Sequence, residues 1–135
     1  AYPIVVFGAM KAGLVTVNTN PLYTAPEMEH QFADSGATGL VVIDLFADKV
    51  AQVLPKTSIR TVVVVTIADL LPFVPRTLVR VVQKYVKKQV PKATFAATSF
   101  DRAIAEGRRK LESGADPLVY LEGAGEDRVA TLQYT

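Results

Sequence analysis

Side chains that commonly perform acid–base or nucleophilic chemistry are sparse in this chain. There is no cysteine and a single histidine, His30, so thiolate nucleophiles, disulfides and paired-histidine metal sites are excluded. Glu27 and Glu29 have the positions of a helix cap and a solvated charge, and no nucleophile elbow occurs. Gly8 and Gly13 lack the spacing of a dinucleotide-binding fingerprint. The residues therefore indicate no self-contained catalytic group.

Composition is typical of a globular α/β domain. Of the 135 residues, 50% are hydrophobic and 21% are charged. The net charge of +2 is too small to imply binding to nucleic acid. Apolar runs such as 62–65 are far shorter than the ~20 residues of a membrane-spanning helix. The chain begins at Ala1 without a methionine, which predicts a boundary inside a longer chain, so the sequence does not reveal targeting signals upstream of Ala1.

Helices and strands are predicted to alternate over the first half of the chain. Helical patterns cover 3–12, 24–35 and 44–54, and strand patterns cover 14–18, 38–43 and 61–66. Thr24 and Glu27 have capping-box spacing, Gly13 and Gly36 can end helices, and Asp44 can cap the third helix. The alternation predicts an α/β fold with a small, mostly parallel sheet of three or four strands and helices on both faces.

The segment 76–92 is predicted to contain a basic amphipathic helix. It carries six basic residues and no acidic one, while the rest of the chain has more acidic than basic residues. On a helical wheel, one half contains the apolar residues Leu78, Val79, Val81, Val82, Tyr85, Val86 and Val90. The other half contains the basic residues Arg76, Arg80, Lys84, Lys87 and Lys88. Such a helix can lie flat on an anionic membrane, or it can be a surface helix with its lysines in water.

The last third is predicted to contain a short helix capped by Ser99, exposed connections at 112–117 and 122–127, and a strand at 129–135. The strand ends in Tyr134-Thr135, where the chain stops. Taken alone, this dipeptide is also compatible with an ordinary strand end.

Three passages resemble one family of adenylate-forming enzymes. Residues 10–23, MKAGLVTVNTNPLY, resemble the "KAG…NPxY" segment of acyl-CoA synthetases, luciferases and peptide-synthetase adenylation domains. The segment VNTNPLY is similar to the corresponding segment of bacterial long-chain fatty-acid–CoA ligases. Residues 132–135, LQYT, resemble the start of that family's phosphate loop, and 69–73 with 85–91 resemble a segment of its long-chain members. The resemblance covers nearly the whole chain, in order.

The resemblance implies that residues 1–135 are a partial N-terminal domain that ends where the phosphate loop begins. It implies a ligase that uses ATP, Mg²⁺ and CoA to convert a long-chain fatty acid to its thioester. Tyr134 and Thr135 would contribute to the nucleotide site, and the Thr135 hydroxyl would help hold Mg²⁺. No catalytic residue of the family falls within the chain, so the isolated segment is expected to be inactive.

Residues 10–23 have a second interpretation that needs no ligand. Lys11, Asn20, Pro21 and Tyr23 are expected to be packing and turn residues even within this family. Their types are those of a helix end followed by an Asn-Pro turn.

Two alternative functions remain open. The first is an adenylate-forming enzyme for a different carboxylic acid, medium-chain or aryl. The second is a non-catalytic module that docks on a membrane or a partner through the basic helix. Under the ligase hypothesis the protein is cytoplasmic, with peripheral contact at the inner face of the membrane through 76–92 as a further option. Exposed apolar faces and strand edges of an incomplete domain also predict a homo-oligomer.

Overall fold

The computed structural model describes residues 1–82, 94–122, 125 and 127–134. Along these residues, helices and strands alternate as the sequence predicts. The helices are α1 (Tyr2–Lys11), α2 (Ala25–Asp34), α3 (Ala47–Val53), α4 (Phe73–Val81) and α5 (Phe100–Glu112). The strands are β1 (Thr16–Asn18), β2 (Gly39–Ile43), β3 (Thr61–Val65), β4 (Thr98–Ser99) and β5 (Thr131–Gln133). Short 3₁₀ turns occur at Asp44–Phe46, Leu54–Lys56 and Pro117–Leu121.

Every strand pair in the described part of the chain is parallel, which confirms the α/β class. The strands form two sheets: a pair, β1–β5, and a three-stranded sheet in the order β2-β3-β4. A single sheet of three or four strands was expected. The division follows from a pairing between strands more than a hundred residues apart, 16–18 with 131–133. No local pattern in the sequence specifies such a partner.

Helix ends follow the predicted local chemistry. Gly13 and Gly36 adopt positive φ angles of 66° and 62° just after α1 and α2, as left-handed helix-terminating glycines do. At the start of α2 the Thr24 backbone N–H and hydroxyl both donate to the Glu27 carboxylate, each at 2.7 Å. These bonds, and more weakly the charge of Lys49, lower the pKa of Glu27. The capping box is therefore confirmed.

The hydrophobic core lies between α2, α3 and the three-stranded sheet. Met28, Phe32 and Val53 are buried together, and the partly buried residues packed against them are Tyr23, Ala25, Leu40 and Ile59. Burial of side chains of this size stabilises the fold by roughly 1.5–3 kcal/mol each. Val50 is also buried, as its place on the predicted stripe of α3 requires.

Several predicted boundaries and burials were wrong. Asp44 does not cap α3; it is the first residue of a 3₁₀ turn, and Phe46 precedes the helix without a side-chain cap. Helix α4 begins at Phe73 rather than at Arg76, and α5 is longer than the short helix predicted, with 13 residues. Its cap is correct, because Ser99 Oγ accepts from the Arg102 N–H.

Burial of the strands is also less complete than the valine-rich runs predicted. β1 is half-buried throughout, and β2 exposes 41% of Val41. β5 is exposed along all three residues. An apolar run shows that a strand could be buried, whereas the burial observed depends on which other elements cover the strand.

Candidate functional site

The carboxyl ends of β1 and β5 meet at one edge of their sheet. The two strands are parallel and in register, with Asn18, the last residue of β1, opposite Gln133, the last residue of β5. The chain therefore leaves β5 at Tyr134 directly beside the point where it leaves β1. In open α/β sheets, ligands bind in the crevice outside the carboxyl ends of the strands. This edge is the candidate functional site.

Helix α2 holds the end of β1 through a buried amide. The Nε2 of Gln31 donates to the Asn18 carbonyl oxygen at 3.1 Å, and the residue is only 2% exposed. Gln31 Oε1 is buried and accepts no hydrogen bond from the described residues. A polar side chain at this depth is normally retained for a specific hydrogen bond, here the one to β1.

Helix α2 also holds the end of β5 through a carboxylate. The Tyr134 hydroxyl donates to Asp34 Oδ2 at 2.6 Å, across a hundred residues of sequence. This hydrogen bond raises the pKa of Tyr134, and burial and the negative charge of Asp34 act in the same direction. The neutral phenol is the form that donates, so the bond persists up to a pH above the ordinary value of 10.0.

Other neutral polar groups complete the edge. The Tyr2 hydroxyl donates to Asn18 Oδ1 at 2.9 Å, which brings the start of α1 to the same place. Gln133 Nε2 donates to the Tyr134 carbonyl oxygen at 3.1 Å. Amides, phenols and backbone groups of this kind can orient a polar ligand by hydrogen bonding. They do not supply a general base at neutral pH.

The residues predicted to form the site differ in where the structure places them. The Tyr134 side chain lies at this edge, where its hydroxyl is engaged by Asp34. Thr135, the predicted Mg²⁺ ligand, lies outside the described residues, as do 83–92 of the basic segment. His30 is exposed on α2. None of the hydrogen bonds described at the edge includes His30.

The residues of the Asn-Pro turn adopt the structural role expected of them. Asn20 Oδ1 accepts from the Leu22 N–H at 2.9 Å, an Asx turn, and the Asn20 carbonyl accepts from the Tyr23 N–H at 3.1 Å. The Tyr23 carbonyl in turn accepts from Lys49 Nζ at 3.0 Å. Lys11 is exposed at the end of α1. The turn thus fixes the path from β1 into α2.

Sequence reasoning missed Gln31 and Asp34. A signal was present for Gln31, because it lies on the same helical stripe as the apolar Met28 and Phe32, where a polar residue is out of place. Asp34 carried no comparable signal. Its partner is known only once β5 is placed beside β1.

A second carboxyl edge, that of the three-stranded sheet, is fastened by an ionic cluster. Asp69, 8% exposed, accepts from the Thr66 N–H at 2.8 Å and from its hydroxyl at 2.5 Å. Arg76 Nη2 lies 3.8 Å from Asp69 Oδ1 and forms an ion pair with Asp101. The cluster joins the loop after β3 to α4 and α5. Arg76 was assigned to the basic solvent-facing half of its helix; in the structure it is half-buried and paired within the protein.

Among the described residues, no helix has the length and apolarity needed to cross a bilayer. In the described ranges, no three His, Cys, Asp or Glu side chains are grouped closely enough to bind a metal ion.

These features define an α/β protein with a polar candidate site at the carboxyl edge of parallel strands. The family of AMP-binding enzymes matches the chain over residues 1–135. The chain therefore belongs to that family, as the resemblance of its motifs predicted. Comparison with solved structures gave no significant match.

Three similar proteins carry the same name. The chain is 42% identical over 135 residues to a long-chain-fatty-acid–CoA ligase of Haemophilus influenzae, an alignment that covers 99% of the chain and 23% of that protein. It is 40% identical over 129 residues to the ligase of that name from Salmonella typhimurium, covering 92% and 23%. Identity to the Yersinia pestis ligase is 44% over 109 residues, covering 80% and 19%. The chain thus spans less than a quarter of these relatives.

Proposed function

We propose that the protein containing this chain is an ATP-dependent long-chain fatty-acid–CoA ligase. The observation that carries the proposal is the 42% identity, sustained over 99% of the chain, to a protein of that name. Membership of the AMP-binding enzyme family over residues 1–135 supports the use of an adenine nucleotide. The proposed substrates are ATP, a long-chain fatty acid and CoA.

The proposed reaction has two steps. A carboxylate oxygen of the fatty acid attacks the α-phosphorus of ATP, and the bond to the bridging oxygen breaks, giving an acyl-adenylate and pyrophosphate. The CoA thiol loses its proton to solvent, its sulfur attacks the acyl carbonyl carbon, and AMP leaves with the electrons of the carbonyl–oxygen bond that breaks. Because negative charge moves onto the departing pyrophosphate, donors and a cation aimed at the phosphates lower the barrier.

Tyr134 and Thr135 are the proposed contribution of this chain to the nucleotide site. The side-chain donors at the edge are neutral and are bonded within the protein, and the Asp34 carboxylate there accepts from the Tyr134 hydroxyl. Mg²⁺ takes hard oxygen ligands and is commonly held by few protein groups together with substrate phosphates, so the Thr135 hydroxyl fits it. Bound there, Mg²⁺ would supply charge neutralisation. The remaining donors would come from glycine-rich backbone following Thr135.

The proposal predicts activity in the full-length protein and none in residues 1–135 alone. With ATP and Mg²⁺, the full-length protein is expected to release pyrophosphate in response to palmitate and to form palmitoyl-CoA when CoA is added. The isolated segment is expected to release none, because it lacks most of the donors just described. Coupled pyrophosphate detection and mass spectrometry of the thioester provide the measurements.

The same assay distinguishes the alternatives. A full-length protein that prefers octanoate or benzoate to palmitate would support an adenylate-forming enzyme for a different acid. Absence of any acid-dependent pyrophosphate release would refute the ligase proposal and leave the docking module. Turnover by the 135-residue segment would contradict our account of which parts the reaction requires.

We further propose peripheral contact with an anionic membrane through 76–92, in an otherwise cytoplasmic protein. The support is the segregation of valines from Lys and Arg on the predicted helix, which suits the interface of an anionic bilayer. Arg76 is excluded from this surface by its ion pair with Asp101.

We also propose that the isolated segment forms a homo-oligomer. Its large apolar side chains Tyr2, Phe7 and Leu132 are exposed by 65%, 66% and 38%, and association would cover them.

Charge reversal tests the membrane proposal. Conversion of Arg80, Lys84, Lys87 and Lys88 to Glu in the full-length protein is expected to abolish co-sedimentation with vesicles containing phosphatidylglycerol. Each basic residue near such a surface contributes about 1 kcal/mol to binding. The matched control reverses four charges on α5, at Arg102, Arg108, Arg109 and Lys110, and is expected to retain binding. Equal co-sedimentation of both variants with these vesicles would contradict the proposal.

A further inference from the structure

Helix α2 contacts both strand ends of the candidate site with side chains one helical turn apart. Gln31 reaches the last residue of β1, and Asp34 reaches the residue that follows β5. Residues at i and i+3 share one face of a helix, so the two contacts belong to a single surface of α2. We call this pair of side chains, with their bonds to Asn18 and Tyr134, the α2 clip.

Besides the α2 clip, a few polar contacts fix the position of the β1–β5 pair. Tyr2 bonds Asn18, and Arg128, just before β5, bonds the Gly13 and Tyr120 carbonyls. Each strand has three residues, and β5 is exposed along its whole length. At the amino-terminal end, the Thr16 hydroxyl donates to the Ala130 carbonyl at 3.1 Å and shares a 2.8 Å hydrogen bond with the Thr131 hydroxyl. At the carboxyl-terminal end the α2 clip joins both strands to a helix whose own face is packed in the core. The clip therefore transmits the rigidity of the core to the strand ends.

The position of Tyr134 determines where the following backbone begins. Its hydroxyl is held at 2.6 Å by a carboxylate on another element, and its carbonyl accepts from the Gln133 side chain. Under the proposed function, the next residues carry the groups that contact the phosphates of ATP. Donors that act on a developing charge must already be in place, since displacements of the order of 1 Å reduce rates strongly.

We propose that Gln31 and Asp34 are positioning residues for the nucleotide site. Neither is a catalytic residue: Gln31 acts through Asn18 and Asp34 acts through Tyr134. The proposal deepens the proposed function and rests on it, because it assigns the α2 clip to the binding of ATP rather than of CoA or the fatty acid.

The first test removes the Asp34–Tyr134 bond from either side in the full-length protein. Asp34→Ala and Tyr134→Phe are each expected to lower kcat/KM for Mg·ATP about 10- to 100-fold, as loss of an outer supporting contact commonly does. The double variant is expected to lose no more than either single one, because both remove the same bond. Asp34→Asn, which retains an acceptor oxygen, is expected to restore most of the activity. Asp48→Ala, the same change at an exposed aspartate of α3, is the control.

Two further readouts separate positioning from general loss of stability. KM values for palmitate and CoA are expected to stay within about twofold of the wild type, because the clip supports only the nucleotide site. Urea unfolding of Asp34→Ala is expected to give a midpoint close to that of Asp48→Ala, so that a selective loss of ATP use is not a loss of fold. An unchanged kcat/KM for Mg·ATP in both Asp34→Ala and Tyr134→Phe would overturn the proposal.

The second test addresses Gln31 with a change of similar shape. Gln31→Met keeps the volume and removes the donor to Asn18, and is expected to raise KM for Mg·ATP about tenfold. Gln52→Met, an exposed glutamine on α3, is the matched control. Equilibrium binding of ATP is measured in parallel. Wild-type protein that binds ATP without palmitate turnover would refute the ligase proposal, while weaker ATP binding by Asp34→Ala would still support the clip.

Discussion

Replacement of Thr135 by valine in the full-length protein is expected to lower palmitate-dependent pyrophosphate release by about 10²-fold, the usual cost of losing one group that acts on transition-state charge. Valine keeps the shape and the β-branching of threonine and removes only the hydroxyl. Under the proposed function, that hydroxyl helps to hold Mg²⁺ against the phosphates of ATP. The variant should therefore require more Mg²⁺ for half-maximal rate, while KM for palmitate stays the same.

Two companion variants make the result interpretable. Thr135→Ser retains the hydroxyl and is expected to keep most of the wild-type rate. Thr61→Val makes the identical change at an exposed position of β3 and is expected to have no effect on rate or Mg²⁺ dependence. A Thr135→Val enzyme with wild-type rate and Mg²⁺ requirement would remove Thr135 from the metal site.

The largest effect on stability is expected at Gly13. Its φ of 66° disfavours any side chain, at a cost of roughly 1–2 kcal/mol. An added Cβ would also lie 2.7 Å from the Tyr120 carbonyl oxygen and 2.7 Å from Arg128 Nη2. Overpacking of this kind costs a further 1–3 kcal/mol, roughly, because a backbone carbonyl has no rotamer by which to move away. Gly13→Ala should therefore lower the free energy of unfolding by about 2–5 kcal/mol in all.

The chain provides its own control for this prediction. Gly36 has a φ of 62°, and an added Cβ there would meet nothing within 4 Å. Gly36→Ala should cost only the backbone term, about 1–2 kcal/mol. Urea unfolding measures the free energy of unfolding lost in each variant. The difference between the two losses is the cost of the close approach at Gly13. Equal losses would show that Gly13 is required only for its backbone angle.

The close approach at Gly13 arises from one arginine that joins three segments. Arg128 donates from Nη1 to the Tyr120 carbonyl at 2.9 Å and from Nη2 to the Gly13 carbonyl. This guanidinium therefore connects three segments: the end of α1, the 3₁₀ turn at 117–121 and the residues before β5. From sequence, Gly13 was predicted only to end a helix. The neighbours that forbid a side chain come from more than a hundred residues away.

Short-range chemistry accounts for what could be predicted of the fold. The capping box at Thr24 and Glu27, the glycines that end α1 and α2, and the Ser99 cap each depend on groups within a few residues of one another. Such interactions are complete within one turn of chain, so their spacing is visible in the sequence. The same holds for the Asx turn at Asn20, which was correctly interpreted as structural.

Errors arose where a distant element decides the outcome. The length of β5, its exposure and its pairing with β1 depend on which strand lies beside it. The helical wheel predicts that Arg76 is a solvated charge, whereas its partners, Asp69 and Asp101, come from different elements. A helical wheel reports the face on which a residue lies. It does not report what that face meets.

The sequence by itself determined the α/β class, most of its helix starts and stops, and the family to which its motifs belong. Local hydrogen bonds, the periodicity of apolar residues and sequence motifs are all properties of contiguous residues. Only the tertiary structure decided that Gln31 and Asp34 hold the two strand ends that meet at the candidate site. That arrangement exists because strand pairing and side-chain hydrogen bonds bring α2, β1 and β5 together across a hundred residues, and no contiguous segment contains those contacts.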